Sequence, residues 1–481
     1  MRLPCLCSVN VLQETTCLWE SLVAKHPRKF TPDLAIGLSM LGYHLSHVRR
    51  FTESVDVTQE CASLYRALVA EDSAAHTPGL ARNLGNLGHR LWNVKRFTES
   101  VDAIQECVSL YRSLVAEDSA THTPRLARNL GNLGHSLSCA NRFTESVDAI
   151  QECVSLYRSL VAEDSAAHAP RLARNLGNLG YGLSNVKRFT ESVDVTRECV
   201  SLSRSLVAKD SAAHTPQLAL GLGHLGDRLS EVKRSTESVD VTHECVSLYR
   251  SLVAEDSAAH TPQLALNLGY LGDRLSHMQR FTQAVDVAQE CVSLCRALVA
   301  KDSAAHTPQL ALGLGCLGDC LSEAKRFTES VDVTQERVSL YWSLVAEDSA
   351  THTPGLAQSL GNLGHNLSCA NRFTESVDAA QESVSLYRSL VAEDFAAYTP
   401  QLALNLGNLG HYLSGVNRFT ESVDAIQECI SLYRPLIAED ATAYTPHLAR
   451  NLLNLGNSLS AMGRYTESED VTQEFVFLSG T

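Results

Sequence analysis

The chain has 481 residues, 44% of them hydrophobic and 20% charged, and a formal net charge of −14. That negative field excludes a general binder of nucleic-acid phosphates, which needs clustered Lys and Arg. No run of about 18 apolar residues occurs, which excludes a membrane-spanning helix.

Residues 1–30 come first. They open with one Arg and a few apolar residues broken by Pro4, too short an apolar stretch for a secretory signal. Asn10–His26 then aligns with the second helix of a repeat whose first helix is missing, and Trp19 falls in an aromatic column. From residue 31 to 481 a unit of 46 residues takes over in ten tandem copies, the last one truncated. Its marker proline stands at Pro32, Pro78, Pro124, Pro170, Pro216, Pro262, Pro308, Pro354, Pro400 and Pro446. Arg96–Ala120 returns letter for letter as Arg142–Ala166. A fixed period of this size belongs to stacked units that each hide an apolar face against their neighbours.

Each copy reads as two helices. In the copy from Thr123 to His168, Thr123 is expected to cap the first helix, with Pro124 at its first position. Leu126, Leu130, Leu133 and Leu137 then recur at helical spacing. Cys139–Arg142 links to a second helix whose stripe is Phe143, Val147, Ile150, Val154, Tyr157 and Val161. That helix is expected to end near Ala162, and the EDSAAH stretch reads as the connection to the next copy. His168 has counterparts at His76, His122, His214, His260, His306 and His352, and gives way to Tyr398 and Tyr444. The exchange points to flat rings packed between copies, not to metal ligands.

Cysteine occupies one column of the second helix, at Cys61, Cys107, Cys153, Cys199, Cys245, Cys291 and Cys429, with Cys17 shifted. Arg337, Ser383 and Phe475 share it. A column that exchanges Cys for Ser is a small-residue packing site, and the odd total of 15 cysteines fits free thiols in a reducing cytosol. Most first helices carry an internal glycine (Gly85, Gly131, Gly177, Gly223, Gly269, Gly315, Gly361 and Gly407). Each costs about 0.5–1 kcal/mol relative to Ala, so these helices are expected to depend on stacking. Ser235 replaces the Phe of other copies, and losing a buried ring of about 3–5 kcal/mol would make the fifth repeat a weak joint. Pro435 is expected to kink or end its helix.

Leu130-x2-Leu133-Gly134-x2-Leu137, followed by Phe143, Ser146, Ile150 and Cys153, resembles the tetratricopeptide repeat. That family's usual period is about 34 residues, so this unit is longer, mostly in its second helix. It is similar in this respect to the long repeats of the kinesin light chain group and of large fungal tandem-repeat proteins. Thr445–Ser468, with Gly463-Arg464-Tyr465, carries that likeness best. The resemblance implies an all-α fold, a right-handed α-solenoid of helix-turn-helix repeats whose first helices line a concave groove.

Positions 128, 132, 135 and 139 lie opposite the leucine stripe, so they are not core. By the resemblance this face is the groove. Repeats two to four offer Arg82, Asn86 and His89, then Arg128, Asn132 and His135, then Arg174 and Asn178. The middle copies place Asp227, Asp273 and Asp319 there, while the Arg column turns to Leu220, Leu266 and Leu312. Later copies return to Asn362, His365, Asn408, His411 and Asn454. A ladder of side-chain amides can donate and accept hydrogen bonds along an extended peptide backbone. The competing reading is a row of solvated polar positions. A ligand is expected to set Lys or Arg near the three aspartates.

Catalytic signals are weak. Gly221-Leu-Gly223-His-Leu-Gly226 and Gly313-Leu-Gly315-Cys-Leu-Gly318 match GxGxxG, but inside helices and without the preceding strand that nucleotide binding needs. The pairs Cys291/Cys295 and Cys316/Cys320 lack the tight CxxC spacing of closed zinc sites and read as packing. The expectation is therefore a cytoplasmic protein-protein interaction scaffold, not an enzyme, with no cofactor, no metal, no nucleic acid and no membrane. Its ligand would be an extended peptide or partner protein in the groove. By resemblance to fungal arrays, the alternative is the sensor portion of a larger signalling protein whose nucleotide-binding or caspase-like peptidase domain is absent from this chain. Neither end reads as a polar cap, as expected for a piece of a longer protein or for ends that stack on another chain, so end-to-end self-association is a third reading.

Overall fold

A computed structural model describes residues 6–479. Residues 1–5 and 480–481, which carry part of the signal-peptide reading and the truncated end, lie outside the described residues. Every element among the described residues is an α-helix. The chain divides into two units, residues 1–241 and 242–481. The first holds α1 (Leu6–Lys25), α2 (Pro27–His47), α3 (Phe51–Glu71), α4 (Ser73–Asn93), α5 (Phe97–Glu117), α6 (Ser119–Cys139), α7 (Phe143–Glu163), α8 (Ser165–Asn185), α9 (Phe189–Val207) and α10 (Ser211–Glu231). The division falls within α11 (Ser235–Glu255). The second holds α12 (Ser257–His277), α13 (Phe281–Val299), α14 (Ser303–Glu323), α15 (Phe327–Glu347), α16 (Ser349–Cys369), α17 (Phe373–Glu393), α18 (Phe395–Gly415), α19 (Phe419–Glu439), α20 (Ala441–Ala461) and α21 (Tyr465–Ser479).

Helix pairs recur as the period requires, but their starts differ from expectation. The first helix of a copy begins at Ser119, not at Thr123, and Pro124 lies inside it. Its cap is Asp118, in extended backbone, whose carboxylate accepts the Thr121 N–H at 3.1 Å. Asp164 does the same for Ala167 at 3.1 Å. The stretch read as a connection is therefore helical on both sides of a single aspartate. Asp caps as well as Thr does, and the Ser-Ala-Ala that follows extends the helix readily. The threonine hydroxyl instead bonds back along its own helix, as where Thr353 donates to the Ser349 carbonyl at 2.7 Å. Asp164→Ala is expected to cost about 1 kcal/mol, read as a lower urea midpoint by circular dichroism; an unchanged midpoint would remove the cap.

Between the two helices of a copy, the chain turns through one left-handed residue. In α6–α7 this is Asn141, with φ 59°, and the Arg142 N–H returns to the Leu137 carbonyl at 2.9 Å. The same joint recurs at Arg49, Lys95, Lys187, Lys233, Gln279, Lys325, Asn371, Asn417 and Gly463.

The leucine stripe of the first helix is buried against the second helix. Closest approach is at Gly134, where an added Cβ would fall 2.2 Å from Ile150 Cγ1 and 3.2 Å from the Ser146 carbonyl oxygen. Ser146 Oγ donates to the Gly134 carbonyl at 2.7 Å, tying the helices at that point. The cysteine column is a packing site: Cys107 donates to the Ala81 carbonyl at 3.0 Å, and Ser383 donates to that of Ala357 at 2.8 Å. Burial pushes the Cys107 and Cys153 thiols up to about 12, which keeps them inert. Cys17 is exposed and does not belong to this column; Thr16 is the buried neighbour. The His rings pack on the preceding helix, His122 on Tyr111 and His168 on Tyr157, each at 6.3 Å between centroids.

Two further expectations are corrected. α19 runs through Pro435 to Glu439, because buried Tyr433 and Leu436 hold that turn against its neighbours. The Phe column that Ser235 interrupts is only half-buried at Phe97, Phe143 and Phe189, so the serine loses far less than a core ring.

Candidate peptide-binding concavities

In the first unit, α4, α6 and α8 present their polar faces to a concavity of about 880 Å3. Arg82, Asn86, His89, Arg128, Asn132, His135, Arg174 and Asn178 all line it, so the whole predicted set from repeats two to four comes together. Among the described residues Asn86, Asn132 and Asn178 have no hydrogen-bond partner, whereas the neighbouring Asn129 and Asn175 donate to the Arg125 and Arg171 carbonyls of their own helices at 2.9 Å. The first set is thus free to meet a ligand.

The reading missed Arg125 and Arg171, which join Arg82, Arg128 and Arg174 on the wall. They lie on the same helical face one turn before Arg128 and Arg174, so extending that face toward the proline would have found them. Among the described residues no carboxylate lines this concavity, and none of its five arginines forms an ion pair. Second-helix arginines behave differently: Arg66 pairs with Glu106, Arg112 with Glu152 and Arg158 with Glu198, each at 2.6 Å. Burial lowers the proton affinity of His89 and His135, and the Arg128 charge adds to the effect at His89. Trp92 stands between these imidazoles, 5.0 Å from the His135 ring and 6.4 Å from that of His89.

The second unit has a concavity of about 810 Å3, lined by Asp273, Asp319, Asn362, His365 and Asn408 from the predicted set. Glu323, His277, Gln358, Gln401 and Tyr398 complete much of its wall, and no Lys or Arg lines it. Asp319 opens on this space with protein on its other sides. Burial raises its pKa to about 6, against the opposing pull of Arg337. Asp273 is raised as well, again by burial. Asn362 donates to Asp319 at 3.4 Å. Asp227 lies in the first unit, on α10, outside the basic concavity. His411 and Asn454 are on the polar faces of α18 and α20 but line neither concavity.

The family of description "Tetratricopeptide repeat" matches residues 356–396, one copy of the 46-residue period. That copy is similar to the tetratricopeptide repeat. Among solved structures, its repeats are similar to BtubC (BKLC) from P. vanneervenii, at 15% identity and TM-score 0.42, over 50% of this chain and 89% of that one. They are similar to a putative kinesin light chain with nearly identical TPR-like repeats from Podosopora anserina, at 14% identity and TM-score 0.37, over 46% and 96%. They are also similar to aspartyl phosphate phosphatase F from Bacillus subtilis, at 11% identity and TM-score 0.42, over 83% and 94%. No curated protein sequence matches the chain.

Tetratricopeptide repeats generally serve as non-catalytic scaffolds for protein interaction. No helix of the described residues is long and apolar enough to cross a membrane.

Proposed function

We propose that this tetratricopeptide-repeat chain is a cytoplasmic scaffold that holds extended segments of partner proteins in its concavities, without transforming them. The observation that carries this reading is the row Asn86, Asn132 and Asn178, whose amides have no partner among the described residues and share a wall with five arginines that form no ion pair there. Amides at repeat spacing suit a peptide backbone, whose own donors and acceptors recur regularly. The arginines suit acidic side chains in the segment held by the first unit. The second unit, with Asp319 and Glu323 on its wall and no Lys or Arg, suits a segment bearing Lys or Arg. The cytoplasm is a reducing compartment, which suits a chain whose second-helix cysteine column holds small packing residues interchangeable with serine.

The test is peptide display against the intact chain, beside a variant with Asn86, Asn132 and Asn178 all changed to Ala. Each lost hydrogen bond is worth about 0.5–1.5 kcal/mol, so peptides selected on the first unit should bind the triple variant at least about tenfold more weakly. Equal binding by both forms would remove the amide ladder. Selected peptides without enrichment in Asp or Glu would remove the role of the arginines.

A further inference from the structure

The second unit contains a cluster of which only Asp273 belongs to the peptide-binding reading. α12 and α14, both first helices, pack directly on one another. At their contact, Cys316 and Cys320 stand one turn apart on α14 and Asp273 faces them from α12. One ligand atom from each, two thiol sulfurs and a carboxylate oxygen, lie within 4.8 Å of one another. Cys316 Sγ also donates to the Gly269 carbonyl at 3.3 Å, which fixes the thiol between the helices. Gly272 makes room for it: a Cβ there would lie 3.2 Å from Cys316 Sγ.

This cluster departs from the repeat pattern. The Cys316 column holds Met40, Asn86, Asn132, Asn178, His224, Tyr270, Asn362, Asn408 and Asn454 in other copies. The Cys320 column holds His44, Arg90, Ser136, Gly182, Arg228, Arg274, Asn366, Tyr412 and Ser458. Cysteine thus enters both columns in one copy only, and opposite an aspartate. The pair Cys291/Cys295 is different: Cys291 keeps the ordinary packing bond, to the Ala265 carbonyl at 3.0 Å, and neither residue joins the trio.

We propose that Asp273, Cys316 and Cys320 bind a zinc ion, with the fourth coordination position open to the concavity of the second unit. Two thiolates select a borderline-soft ion over magnesium or calcium. Bonds of about 2.0–2.3 Å in a tetrahedron set ligand atoms roughly 3.3–3.8 Å apart, a small contraction from the arrangement here. Ligands four residues apart on a helix share one face and can grip one ion. Water fills the fourth position, or a carboxylate or imidazole from Asp319, Glu323 or His277, which line the same space.

Cobalt(II) titrated into the full chain, under a phosphine reductant, tests the site. A thiolate-to-cobalt absorption band should saturate at one equivalent per chain and vanish on adding zinc. Cys316→Asn with Cys320→Ser, both residues that other copies carry at these positions, should abolish the band while circular dichroism stays helical. Asp273→Asn should weaken cobalt binding by about tenfold or more. Cys295→Tyr, which restores the repeat residue, should leave the band intact. No band in the folded wild-type chain, its survival in the double variant or its loss in Cys295→Tyr would overturn the assignment.

Discussion

Arg337→Ser is expected to stabilise the second unit, raising its urea midpoint by the equivalent of about 2 kcal/mol. Arg337 stands in the cysteine column and is only 6% exposed, and its Nε has no hydrogen-bond partner among the described residues. It fits because Gly315 leaves space: a Cβ at that glycine would lie 2.9 Å from the Arg337 guanidinium carbon. Tyr341 offers a ring face 5.6 Å away, worth about 0.5–2 kcal/mol, and the charge of Asp319 favours the cation. Against this stands a desolvation penalty of several kcal/mol for a buried ion without a carboxylate in contact. Serine at this position already works elsewhere in the chain, where Ser383 donates to the Ala357 carbonyl at 2.8 Å. Fluorescence of neighbouring Trp342 should report the later unfolding locally. A midpoint that stays or falls would mean that the surrounding field fully compensates the guanidinium.

Glycines in the first helices should divide into two classes with opposite signs. Gly134→Val is expected to destabilise the first unit by about 3 kcal/mol, since its branched side chain must displace Ile150 and press on the Ser146 carbonyl. Gly177→Ala should do the reverse and stabilise by about 0.5–1 kcal/mol. There a Cβ meets only Cys199 Sγ, at 3.8 Å, an ordinary contact, while the helix gains from losing a glycine. Urea unfolding of both variants, followed by circular dichroism, reads the contrast. Shifts of the same sign would show that helix propensity, not helix approach, governs these positions.

Periodicity made the helix pairs legible, because a stripe of leucines at helical spacing has few other homes. The same logic placed Asn86, Asn132 and Asn178 on the polar face. Helix starts were harder. Thr123 and Asp118 are both acceptable caps, and local preference does not choose between them; contact with the preceding helix does. Pro435 misled for a related reason, since burial of Tyr433 and Leu436 outweighs one missing backbone bond. Asp273 and Cys316 are far apart in sequence, so their meeting depends on how α12 and α14 pack, which no local spacing reveals. The Cys316/Cys320 pair was visible, but its third member was not.

The left-handed joints carry a consequence for the molecule's tolerance to change. At nine of them the residue has a side chain, and only Gly463 meets the same backbone conformation without steric cost. A side chain held there forfeits roughly 1 kcal/mol, less for the asparagines. Those elbows are exposed, away from the leucine seams, so easing them one by one would harden the array in steps while leaving both concavities as they are.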